Sequence, residues 1–379
     1  MDFTLSEEQK QLRREIIQFS REYLNDENCM DFFSREMWEE ISQLGIHGVI
    51  VSEEYGGMNE SFLTGAIMIE ALGYGCKNNG FVFVVNNHIW VGLNLIYLYG
   101  SDLLKEKYLR NMVEGKYIGS IAISEADSGS DAFSMETTAQ EKDDCYILNG
   151  SKMFISNGSI ADVFVVFAKV MVDNLAQITG FVVEKAFDGV KCGQDIEKMG
   201  LNSCPMCEVT FNNVKVPKEN VLGTVGGGKS LITSALEWER CYEFACHVGA
   251  MQRVMEECIR YADERRQFGK AIGENQAVSH KIADMRIKIE MSRLMLYKIA
   301  CLKDKKRNAY VETSIFKVFV SESYIQVCRD ALQIYGAYGY TKEYGIEREL
   351  RDAIACSIYS GTNEILRNTI YDMSKISVL

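Results

Sequence analysis

IYSGTNEILR, Ile358 to Arg367 near the C-terminus, is the stretch on which the reading of this chain turns. Its third residue, Ser360, carries a hydroxyl, which is far too weak a base to take a proton from carbon unaided. If the chain does such chemistry, its base lies elsewhere. ALEWERCY, Ala235 to Tyr242, holds the candidate, Glu239. A helix expected over roughly Ser230 to Arg265 puts Ile232, Ala235, Glu239, Tyr242 and Cys246 on one stripe. A carboxylate on an otherwise apolar stripe is unusual. Burial there disfavours its charge and raises its pKa, as a general base requires. The competing reading is a helix carboxylate paired with Arg240, Arg253 or another cation. Glu237 and Glu243 fall elsewhere on the helical wheel and are expected to be solvated.

The 379 residues are enough for two or three packed units. With 47% hydrophobic and 25% charged residues, the balance is that of an ordinary globular chain. A formal net charge of −12 argues against a nucleic-acid binder, which presents basic faces to phosphate. It leaves room for an acidic ligand held by a local patch. The twelve cysteines include one two-residue gap, Cys204 to Cys207, with no second pair and no histidine nearby. A metal site is therefore not expected, and free thiols in a reducing cytoplasm are. MDFTLSEEQKQLRREII reads as a charged helix, not a signal peptide, with Thr4 and Glu7 as its capping pair. The most apolar window, FVFVVNNHIWVGLNLIYLYG, is interrupted by Asn86, Asn87 and His88. It reads as a buried core helix and not a membrane span.

Texture divides the chain into three units. Residues 1–115 read as helices, with a turn at EEYGG, Glu53 to Gly57. Residues 116–222 hold short β-rich runs: IAIS, CYILNG, KMFISNG, VFVVFAKV, GFVVEK and CEVTFNNVKV. Asn149-Gly150 and Asn157-Gly158 read as hairpin turns between them. Both prolines, Pro205 and Pro217, fall in this middle unit. Helical periodicity returns after GTVGGGK and fills 223–379.

Read together, the segments resemble the acyl-CoA dehydrogenase superfamily over almost the whole chain. Tyr359, Gly361, Thr362, Ile365 and Arg367 match the family's flavin-facing Y-E-G-T-x-x-I-x-R. The other matches are EEYGG, ISEADSGSD, LNGSKMFISNG, KMGLNS, VTFNNVKVPKENVLG, YADERRQFGKAIGENQAV and QIYGAYGYTKEYGIERELRDA. In ISEADSGSD, Ala126 and Asp127 replace the usual proline and a glycine. The resemblance implies a mixed α and β fold: an N-terminal helical domain, a middle antiparallel β-domain and a C-terminal four-helix bundle. It also implies FAD between the last two units. Ile121, Ile123, Ser124, Gly129, Ser130, Phe154 and Ser156 would lie along its ring and phosphates. Gln333, Gly336, Ala337, Thr362 and Glu364 would face it as well. Arg265, Gln267 and Phe268 would arrive from a neighbouring subunit of a homotetramer.

The family places a catalytic glutamate at position 360, and its isovaleryl-like members place it at position 239 instead, before an arginine. Glu239-Arg240 with Ser360 reproduces that second arrangement, and Ser360 keeps a backbone N–H to polarise a thioester carbonyl. Asn87, His88, Trp238, Tyr242, Tyr359 and Gly361 are the expected substrate contacts, suiting a short, branched or cyclic acyl group. The overall texture resembles the branch that oxidises a prolyl group on a peptidyl carrier protein in secondary metabolism. KDKKR, Lys303 to Arg307, could dock such an acidic carrier. The alternatives are a short branched-chain acyl-CoA dehydrogenase and a non-catalytic flavoprotein or assembly factor. Oxygen and an electron-transfer flavoprotein both remain open as the electron acceptor.

Overall fold

Ser6 opens the first helix. Its hydroxyl accepts the Gln9 N–H at 3.1 Å, while the Ser6 N–H donates to Gln9 Oε1 at 3.0 Å. The capping pair is therefore Ser6 and Gln9, not Thr4 and Glu7. The computed structural model describes residues 4–376, so the expectation for Met1 to Phe3 lies outside the described residues. The helical first unit runs through α1 (Glu7–Tyr23), α2 (Arg35–Ser42), α3 (Phe62–Gly75), α4 (Asn79–Asn87), α5 (Asn94–Tyr99) and α6 (Asp102–Val113).

A π-helical segment, His88–Leu93, joins α4 to α5, making one apolar rod from Asn79 to Tyr99. An 18-residue window of it is 89% buried inside the protein, so it is a core element. Its wide turn brings Gly92 against the next unit, where an added Cβ would stand 3.0 Å from the Gly119 backbone.

That next unit is an eight-stranded sheet: β1 (Gly119–Ala122), β2 (Thr138–Lys142), β3 (Cys145–Ser156), β4 (Val163–Val172), β5 (Leu175–Glu184), β6 (Val190–Cys192), β7 (Met206–Pro217) and β8 (Val221–Leu222). The order is β6-β7-β3-β2-β4-β5-β8, with β1 beside β4. Most pairs are antiparallel, but β1 and β2 each meet β4 in parallel. Asn149-Gly150 is not a hairpin turn: CYILNG and KMFISNG form the single strand β3, and Gly150 absorbs a register shift at φ 145°. A side chain there would strike Thr137 at 2.6 Å. Asn157-Gly158 does turn, with Asn157 at φ 61°, but β3 and β4 are not hydrogen-bonded neighbours.

The last unit packs four long helices, α7 (Gly228–Tyr242), α8 (Ala245–Glu264), α9 (Gln276–Asp304) and α10 (Tyr310–Tyr335), followed by α11 (Ala337–Tyr340), α12 (Ile346–Ala355) and α13 (Asn363–Ile376). A small hairpin, β9 (Arg266–Gln267) and β10 (Lys270–Ala271), follows α8. The helix expected over Ser230 to Arg265 is interrupted at Glu243 and Phe244, where the backbone stays right-handed but the ladder breaks. The architecture is the mixed helical, β, helical one that the resemblance implies.

Candidate active site

Two elements meet at the centre. α7 carries Glu239, and the turn from α12 into α13 carries Ser360. Ile232, Ala235, Tyr242 and Cys246 of the apolar stripe are buried, while Glu239 is partly buried among them. Burial raises the Glu239 pKa, with the Ser360 hydroxyl, Arg240 and Lys317 pulling the other way. Those three groups place the carboxyl against the Ser360 turn. A non-glycine residue rarely adopts φ 60°, yet Ser360 does, followed by Gly361 at φ 84°. Two cations hold this backbone. Arg240 Nε donates to the Ser360 carbonyl at 3.0 Å, and Lys317 Nζ donates to the Gly361 carbonyl at 2.9 Å. Among the described residues no carbonyl accepts the Ser360 N–H, and the Ser360 hydroxyl has no close hydrogen-bond partner apart from the Glu239 carboxyl it acts on. The turn thus keeps an uncommitted backbone N–H close to Glu239.

Aromatic rings close the site behind Glu239. Tyr242 stacks on Trp90 at 3.8 Å, and Trp238 lies 4.7 Å from Phe62. The Tyr242 hydroxyl donates to the Phe62 carbonyl at 3.2 Å. Tyr359 packs its ring edge-on against Phe83 at 4.9 Å, and its hydroxyl meets His247 Nε2 at 2.7 Å. Cys356 Sγ also reaches that nitrogen, at 3.3 Å. Lys317 and His247 are residues at the site that the sequence reading missed, and Arg240 entered it only as the residue after Glu239 and a possible ion-pair partner. Lys317 gave a signal, a lone cation in the apolar run IFKVFV.

His88 does not serve as a substrate contact. Its Nδ1 accepts the Gly119 N–H at 2.8 Å, and its Nε2 lies 3.0 Å from the Met112 carbonyl. Both ring nitrogens are thus committed to backbone, and burial lowers the pKa to about 4, leaving the ring neutral. Asn87 is buried with its side-chain carbonyl unpaired. Glu237 and Glu243 are not solvated. Glu237 pairs with Lys303 and accepts the Ala309 N–H at 2.9 Å, a partnership from distant helix ends invisible along one helix. Glu243 is fully buried and, one helical turn after Glu239, lies on the same face and not elsewhere on the wheel. Burying Lys303 reduces the exposed basic run to Lys305, Lys306 and Arg307.

A second cleft wall comes from the sheet. Ile121, Ile123, Ser124 and Ser156 are partly buried, and Gly129 and Ser130 are exposed. Phe154 is no core aromatic: it sits at φ 61° in the register shift between Lys152 and Ile155, and its ring is 57% exposed. The buried pair Lys152–Glu125, at 2.8 Å, pins this wall from behind. Lys152 also donates to the Ile123 carbonyl at 3.0 Å, and Glu125 accepts the Glu136 and Thr137 N–H groups. Burial alone would raise the Glu125 pKa, but those N–H groups, the Thr137 hydroxyl and Lys152 hold it at about 2. Thr362 caps α13, accepting the Ile365 N–H at 3.3 Å, and Glu364 is exposed in the first turn.

Arg265, Gln267 and Phe268 stand on the exposed hairpin, with Phe268 at φ 52° and 99% exposed. Gln333, Gly336 and Ala337 are exposed at the end of α10. Gly336 takes φ 61° with ψ −135°, open to glycine alone, yet an added Cβ would meet nothing within 4 Å in this chain. Among the described residues no group of three or more His, Cys, Asp or Glu side chains could hold a metal ion. A surface cavity of about 620 Å³ opens elsewhere, among Phe32, Phe33, Ile160, Lys198 and Pro205.

Three family models, the acyl-CoA dehydrogenase N-terminal, middle and C-terminal domains, match residues 6–116, 120–214 and 226–374. An L-prolyl-[peptidyl-carrier protein] dehydrogenase of a Serratia species is 36% identical over 375 residues, which are 98% of this chain and 97% of that one. An acyl-CoA dehydrogenase of Bacillus subtilis is 36% identical over 96% of this chain and 97% of its own length. Two solved structures superpose with TM-scores of 0.95. The prolyl acyl carrier protein oxidase AnaB is 39% identical over 98% of this chain and 99% of its own. PigA, solved with FAD and proline, is 34% identical over 100% of both chains.

Proposed function

The chain belongs to the acyl-CoA dehydrogenase family, and we propose that within it this protein oxidises a prolyl thioester held on a peptidyl carrier protein, using FAD. The observation that carries the reading is the meeting of Glu239 with the left-handed Ser360 turn in a chain so similar, end to end, to prolyl-carrier dehydrogenases.

Glu239 is the base. Its ionised carboxyl takes the α-proton, and its raised pKa matches it to a weak carbon acid. The Ser360 N–H donates to the thioester carbonyl oxygen as negative charge builds there. Arg240 and Lys317 keep that N–H aimed by holding the carbonyls on either side of the turn. Phe62, Trp90, Trp238 and Tyr242 exclude water and limit depth, which favours a short cyclic group over a long chain. The residues present suit FAD: a strained, exposed Phe154 and partly exposed Ile121, Ile123, Ser124 and Ser156 form one open wall. Gly129, Ser130, Thr362 and Glu364 would complete the near side. When bound, FAD supplies the acceptor for the β-hydride.

We further assign Arg265, Gln267, Phe268, Gln333, Gly336 and Ala337 to FAD bound across a subunit interface, in a homotetramer. Phe268, standing in water, and the exposed Ile287, Met291 and Leu294 of α9 support that assembly. The exposed run Lys305, Lys306 and Arg307 supports docking of an acidic carrier. Asp304, just before them, accepts the Phe62 N–H at 2.7 Å and so ties the basic loop to the aromatic wall. All twelve cysteines are free thiols, which suits the cytoplasm.

Anaerobic bleaching of the yellow flavin tests the reading. Prolyl-loaded carrier protein should bleach it, and isovaleryl-CoA and butyryl-CoA should not. Bleaching by the coenzyme A esters alone would make the protein a branched short-chain acyl-CoA dehydrogenase. A flavin that no thioester bleaches would make it non-catalytic. Admitting air after bleaching separates oxygen, which restores the colour, from a required electron-transfer flavoprotein.

A further inference from the structure

Glu243 follows α7 directly, keeps right-handed backbone at φ −56° and ψ −37°, and donates its N–H to the Glu239 carbonyl at 2.9 Å. Residues four apart on such a turn project side by side, with about 5–6 Å between their Cβ atoms. The two carboxyls therefore share one face. Glu239, Tyr359 and Cys204 all lie within electrostatic reach of the Glu243 carboxyl. Glu243 is nonetheless fully buried, and neither of its oxygens has a hydrogen-bond partner.

Other buried polar atoms without partners lie along the rod that runs from α4 into the π-helical segment, whose Trp90 meets α7. Asn86 lacks a partner at both ends of its amide, Asn87 at its carbonyl, and Trp90 at its indole N–H. Trp90 stacks on Tyr242, with Asn86 one turn before it, while Phe83, one turn before Asn87, meets Tyr359. An unpaired buried polar group costs about 1–3 kcal/mol. Several on one rod that packs against Tyr242 and Tyr359 suit a place where a polar ligand supplies the missing bonds.

Resting on the reading that the substrate is a prolyl thioester, we propose that Glu243 recognises the amine nitrogen of the aminoacyl group. Glu239 meets the α-carbon, and Glu243, one turn further, meets the nitrogen bonded to that carbon. Burial, reinforced by the Glu239 charge, raises the Glu243 pKa and so favours its protonated form before the ligand arrives. A basic amine entering the site takes that proton, leaving an ammonium–carboxylate pair and requiring no other reactant. A carbocyclic acyl group of the same shape leaves the acid unpaired once water is expelled. Glu243 thus selects aminoacyl over plain acyl thioesters.

The test compares carrier protein loaded with prolyl and with cyclopentanecarbonyl, the same ring without nitrogen, on flavin-loaded enzyme without air. The wild type should bleach faster with prolyl by roughly 10⁴-fold, the scale for a site built around a substrate N–H. Glu243→Gln should slow the prolyl reaction far more than the cyclopentanecarbonyl reaction and so collapse the preference. Glu243→Asp, shorter by one methylene, should keep part of it, and it carries the test if the glutamine variant fails to load flavin. Equal slowing of both substrates, or an unchanged ratio in both variants, overturns the role of Glu243 and leaves the prolyl reading standing. A wild type bleached by neither ring overturns the prolyl reading and this inference with it.

Discussion

Replacing Glu239 by Gln preserves shape and removes basicity. Glu239→Gln should stay yellow and lose α-proton exchange, measured by deuterium wash-in, by roughly 10²–10⁴-fold. The pH profile follows from burial, which lifts the Glu239 pKa above its ordinary 4.5. The ionised form is the active one, so kcat/KM should fall as pH drops through that raised value. An acid limb no higher than that of a solvated carboxylate would remove Glu239 as the base. At this scale the sequence was partly readable. Glu239 stood out because a charge interrupted an apolar stripe. Glu237 and Glu243 did not, because what buries them is tertiary: Lys303 reaches Glu237 from another helix, and Glu243 sits where the ladder breaks.

Strand β3 does two jobs, presenting Phe154 to the cleft and Lys152 to the core. Lys152→Met would leave the Glu125 carboxylate buried without its cation, at a cost of roughly 3–5 kcal/mol. In the wild type Glu125 is held at about 2 against an ordinary 4.5, so its contribution is present above the unfolded pKa. It is lost as pH falls through 2. The melting difference between wild type and variant should therefore be large at neutral pH and shrink in acid; a difference independent of pH would contradict the pair's role. Element types were legible from their periodicities. The Asn149-Gly150 reading failed because a bulge and a tight turn both call for glycine at positive φ. The break between α7 and α8 carries no proline or glycine, so nothing in the one-letter string announced it.

Taken whole, the molecule exposes at Phe268 a ring no monomer needs. If the proposed tetramer forms through this hairpin, Phe268→Ser should lower the assembly mass in light scattering and the flavin content, while far-UV circular dichroism stays that of the wild type. An unchanged mass and flavin ratio would remove the hairpin from the interface. The order of helical, β and helical units was readable from composition alone, since strand-forming runs cluster between Ile118 and Leu222. The cleft was not: its walls join residues more than a hundred positions apart, as where Arg240 binds the Ser360 carbonyl.

That clasp bears on how such a protein changes over time. A carboxylate regained at position 360 would sit in the field of Glu239, and of two carboxyls facing one dry space with no ligand cation between them, one has its pKa raised further. The two locations for the base thus work against each other. A lineage crosses from one to the other only by way of an intermediate with weakened chemistry, and this would keep the two kinds of enzyme apart.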